Sequence, residues 1–92
     1  MTFAVTTEGG AINSASLTYP PTDSYRGGTV YVFDRTMGHG VFELVHDNGG
    51  IGPTQPIAAA ANDEVVVSVQ AVEQTVSTCV LLREGAPGGY CN

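Results

Sequence analysis

Turn signals divide this chain at short, regular intervals, and that spacing limits what it can fold into. Gly9-Gly10, Pro20-Pro21, Gly27-Gly28, Gly38-His39-Gly40, Asn48-Gly49-Gly50, Pro53, Pro56, Asn62-Asp63 and Gly85-Ala86-Pro87-Gly88-Gly89 recur roughly every 8 to 12 residues. Segments that short hold a strand but not a long helix, and punctuation at that interval belongs to sandwiches and barrels.

Between the turns the apolar period is two. Val65, Val67, Val69 and Ala71 fall on one face, with Glu64, Ser68 and Gln70 on the other. Val76, Thr78, Val80 and Leu82 share a face opposite Ser77, Cys79, Leu81 and Arg83. Thr29 to Asp34 is apolar on both sides, with Val30 and Val32 opposite Tyr31 and Phe33, which predicts a doubly buried strand. Gly40 to His46 sets Phe42 and Leu44 against Val41, Glu43 and Val45, and Ala11 to Tyr19 and Thr2 to Thr7 add two more strands. Ile57 to Ala61 is too short for a stable isolated helix and reads as a strand or extended loop. The expected fold is therefore all-β: one antiparallel β-sandwich of about seven strands over residues 1–92. Val65, Val67, Val69, Val80 and Leu82 should be buried, facing Val30 and Val32.

The charge balance excludes several functions. Nine acidic residues against three arginines, with no lysine, give a net charge of −6. A nucleic-acid binder needs a cationic footprint, so no nucleic-acid partner is expected. There is no apolar run of about 18 residues, so no membrane-spanning helix is expected.

Cys79 and Cys91 are too few and too far apart for a zinc site. They read as one disulfide, the alternative being two reduced thiols with Cys79 in the core. A bridge places the chain in an oxidising compartment: outside the cell, at its surface, or in the periplasm. Met1-Thr2-Phe3 opens with no basic region and no apolar run of a secretory leader, so export implies a processed or trimmed chain.

No catalytic or metal constellation stands out. His39 and His46 lie near Asp34, Glu43 and Asp47 without a zinc pattern, and no metal site is expected. Asp47-Asn48-Gly49 and Asn62-Asp63-Glu64 lack the ligand count of a calcium loop, and turn formation explains both. There is no Gly-x-Ser-x-Gly elbow and no Gly-x-x-x-x-Gly-Lys phosphate loop. The expectation is a protein that is not an enzyme and carries no cofactor. Tyr19, Tyr25 and Tyr90 sit in or next to turn-rich segments and are the candidate ligand contacts, since exposed tyrosine stacks on sugar or peptide. The weakly charged segment Thr2, Phe3, Ala4, Val5 and Thr6 is the candidate edge for assembly by strand addition.

From Gly28 to Gly85 the chain resembles bacterial immunoglobulin-like domains and the related transthyretin-like, carboxypeptidase-regulatory sandwiches. The resemblance rests on four features: Gly28-Thr-Val30-Tyr-Val32-Phe followed by Asp34-Arg35-Thr36-Met37-Gly38; Gly40-Val-Phe-Glu-Leu-Val ending at Asp47-Asn48-Gly49-Gly50; Pro56-Ile-Ala-Ala leading to Asn62-Asp63-Glu64; and Val65-Val-Val-Ser-Val69. It implies a secreted or cell-surface domain with a structural, adhesive or assembly role, acting through a protein partner or self-association. The alternatives are a carbohydrate- or peptide-binding module and a viral or phage surface protein.

Overall fold

Gly9 and Gly10 adopt the left-handed conformation that a two-residue hairpin turn demands. They fold β1 (Thr2–Glu8) onto β2 (Ala11–Thr18) with Glu8 opposite Ala11. The computed structural model describes residues 1–72 and 74–91. Among them the strands continue as β3 (Thr29–Asp34), β4 (His39–Leu44), β5 (Ile57–Ala58), β6 (Glu64–Gln70) and β7 (Thr75–Leu81). A single 3-10 turn, Asp23–Tyr25, is the only helical segment described.

The seven strands form two antiparallel sheets. A three-stranded sheet has the order β1-β2-β5, and a four-stranded sheet has the order β4-β3-β6-β7. Their facing sides make the core. The small sheet contributes Phe3, Ala15, Leu17 and Ile57; the large one contributes Val30, Val32, Val65, Val67, Val69 and Val80. Leu82, just past β7, closes the core with no exposed area. The period of two thus identified the buried valines correctly.

β3 departs from the expectation of double burial. Val30 and Val32 are buried, but Tyr31 is 41% exposed and Phe33 is half-buried. Among the described residues no strand packs over that face. The two rings stack on each other instead, with centroids 5.8 Å apart and planes 12° from parallel.

Cys79 and Cys91 are bonded, with Cα atoms 4.9 Å apart. The bridge holds the C-terminal segment along the outer edge of β7. Cys91 N–H donates to Cys79 O, Leu81 N–H to Gly89 O, and Gly88 N–H to Leu81 O, each at 2.8 to 2.9 Å. The same segment reaches β1. Phe3 N–H donates to Gly85 O at 2.8 Å, and Gly85 N–H returns to Phe3 O at 2.9 Å.

Candidate functional site

The residues singled out in the sequence do not gather at one site. Tyr19 and Tyr25 meet at a ring separation of 5.6 Å, but both are half-buried against the core. They line a pit of about 50 Å³ with Met1, Leu17, Val69 and Val76. Tyr90 is exposed and stands opposite Val80, farther along β7. Along β1, Thr2, Ala4 and Thr6 are exposed, Val5 is half-buried, and Phe3 is committed: its side chain is in the core and both its backbone groups are paired with Gly85. The free part of that edge therefore begins beyond Phe3.

The polar residues are engaged in holding turns. His39 Nε2 meets Ala58 O at 2.6 Å, and His46 Nε2 meets Gly52 O at 2.8 Å. Asn48 Oδ1 accepts from Gly50 N–H, and Asp63 Oδ2 from Ala60 N–H. Serine hydroxyls bond other hydroxyls or a carbonyl: Ser14 with Thr6, Ser68 with Ser77 at 2.9 Å, and Ser16 to Thr54 O. Among the described residues no group of three histidine, cysteine or acidic side chains gathers as metal ligands would.

Asp34, at the end of β3, is fully buried. Its Oδ1 accepts from Met37 N–H at 2.9 Å, whereas no N–H or hydroxyl donor is directed at Oδ2. Burial is the main reason its pKa rises to about 6; hydrogen bonding with the Asp63 carboxyl and repulsion from its charge push the same way, against the Met37 and Thr36 backbone groups. Two neighbouring acceptors can be joined only by a proton that one of them carries.

The surface that stands out is the outer face of the large sheet together with its β4 margin. Pairing places Phe42 beside Tyr31, which lies beside Ser68 and then Ser77; the next row is Leu44, Thr29, Gln70 and Thr75. Phe42 is 65% and Leu44 74% exposed. Thr29, Tyr31, Phe42, Ser68 and Gln70 line a depression of about 260 Å³. The Arg35–Glu64 ion pair, at 2.7 Å, stands at the β3–β4 turn end of the sheet. Aromatic rings beside hydroxyls and an amide make a neutral surface that can stack and hydrogen-bond.

Beyond β4 lies an open trough of about 530 Å³ between Val41–Glu43 and residues 53–56. Residues 53–56 are bonded to the backbone of β2 and not to that of β4. Thr54 N–H donates to Leu17 O at 3.0 Å, and Thr54 Oγ1 accepts from Leu17 N–H at 2.8 Å. Across the trough, Gln55 N–H donates to Glu43 Oε2 at 2.6 Å. Sequence reasoning did not find this site. Pro53 and Pro56, which bracket its far wall and lack an N–H for a β ladder, were the available signal.

Comparison with protein-family models, with curated proteins and with solved structures gave no match for this chain.

Proposed function

We propose that this chain is a non-catalytic interaction module, immunoglobulin-like or transthyretin-like in kind, that works outside the cell through the outer face of its large sheet. The observation that carries the reading is the side-by-side exposure of Phe42, Leu44 and Tyr31 on a sheet whose other face is the core. Apolar groups left in contact with water on a small domain mark a binding surface when they are contiguous. The disulfide supports an oxidising location, and no helix among the described residues is long and apolar enough to cross a membrane.

Within this reading the partner is a protein, with structural or adhesive consequences. A carbohydrate is the second reading, favoured by the stacked Tyr31–Phe33 rings flanked by Ser68 and Gln70. The test compares wild type with the double variant Tyr31→Ser, Leu44→Ser on a glycan array, on a displayed random-peptide library and in sedimentation velocity. Retention of a glycan, peptide or second copy by wild type, lost in a variant with unchanged melting temperature, is expected. Equal retention by both proteins, or none by wild type, overturns the proposal.

A further inference from the structure

The backbone pattern of β4 adds a second recognition element, which rests on the reading above as a binding module. Val45 N–H donates to Gly28 O at 3.0 Å, toward the β3 side. Antiparallel pairing alternates, so Glu43 and Val41 also turn their backbone groups to β3. Phe42 and Leu44 then turn their N–H and C=O the other way, into the trough. The next segment of chain does not satisfy them, because residues 53–56 are bonded to β2 through Thr54. Among the described residues, side chains make the hydrogen bonds from β4 across the gap, His39 with Ala58 O and Glu43 with Gln55 N–H, and His46 just past β4 meets Gly52 O. His39 and Glu43 alternate with Phe42 and belong to the inner side of β4; Glu43 lines the trough there, and His39 lies beyond its end. Between them β4 runs about 13 Å, room for roughly four extended residues.

We propose that this trough binds an extended peptide of another protein, added as a strand to β4 and carrying lysine or arginine. A strand is the occupant that satisfies outward N–H and C=O groups in alternation. Positive charge follows from the surroundings. Glu43 is the one charged residue lining the trough, and the chain as a whole carries −6. The prolines on the far wall keep this chain from closing its own gap.

The test uses Phe42→Pro in the full chain. The substitution removes a donor that faces the trough, and by the alternation above it takes no hydrogen bond from the β3–β4 ladder. Peptides are selected from a displayed random library on wild type and synthesised. Expected are extended sequences with basic residues whose affinity falls at least tenfold on Phe42→Pro, and which shift the Phe42 and Leu44 amide resonances of wild type. Those amide shifts decide the matter if the proline variant does not fold. Failure to enrich any peptide, or peptides that bind both proteins equally without shifting those amides, overturns the trough. Peptides lost on Tyr31→Ser, Leu44→Ser but kept on Phe42→Pro also overturn it and leave the outer face standing; the reverse pattern upholds the trough alone. A wild-type dimer that Phe42→Pro converts to monomer overturns the peptide as occupant in favour of a second copy.

Discussion

Asp34 and Asp63 are neighbouring carboxyls in a buried set that is otherwise apolar except for Thr54, and they tie together the turns that follow β3 and precede β6. Asp34 holds Met37 N–H, and Asp63 holds Ala60 N–H. Because Asp34 has a folded pKa of about 6 against an ordinary 3.8, the folded state binds more protons than the unfolded state between those values. The resulting stabilisation is complete below the ordinary pKa and is lost as pH rises through 6. Going from pH 7 to pH 5, wild type should gain about 1 kcal/mol from this group. Asp34→Asn keeps an oxygen for Met37 N–H and cannot ionise. Urea unfolding at several pH values should show that gain in wild type and not in the variant, with the variant at least as stable at pH 7. Parallel profiles for the two proteins would contradict this account.

The disulfide acts on an edge as well as on chain entropy. Closing a 12-residue separation is worth roughly 3 kcal/mol in the loop-entropy model. The bridge also keeps Gly89 against Leu81 and Cys91 against Cys79. Reductant should therefore lower the urea midpoint and speed hydrogen exchange at the Leu81 amide more than at the amides of β3. A uniform change across both strands would mean that the bridge acts on the unfolded state alone.

The strands were legible because alternation and turn residues are local. Val65, Val67 and Val69 announce their face by contrast with Ser68 and Gln70. Where both faces are apolar, that contrast vanishes. Val30 and Tyr31, or Val41 and Phe42, could each have pointed inward, and only pairing with β6 and the packing of the two sheets decides. The trough was hidden for a further reason. It exists because β5 and Thr54 pair with β2 across separations of 37 to 44 residues, which no local pattern encodes.

Facing is tested by two neighbours on β6. Val67 is in the core, and Ser68 is on the outer face, where its hydroxyl meets Ser77 at 2.9 Å. Val67→Asp places an unpaired charge among valines, at a cost of several kcal/mol against a total of about 5 to 15. It should unfold the domain or leave it barely folded by circular dichroism. Ser68→Asp should change stability by no more than about 0.5 kcal/mol. Comparable losses in both would place the core on the wrong face.

Thr54 supports the far wall of the trough from behind. It is buried, its Oγ1 takes Leu17 N–H, and its carbonyl takes the Ser16 hydroxyl at 2.5 Å. Thr54→Val keeps the shape but leaves the buried Leu17 N–H without its acceptor, a loss of about 1 to 3 kcal/mol. The adjacent Gln55 is exposed, and its side chain makes none of these contacts, so Gln55→Ala should stay within about 0.5 kcal/mol of wild type. Chemical denaturation measures both variants. Hydrogen exchange locates the effect: the Leu17 amide should lose protection in Thr54→Val while the β6 amides keep theirs. If Leu17 remains protected, another group supplies the acceptor, and the wall is not held by the Thr54 hydroxyl.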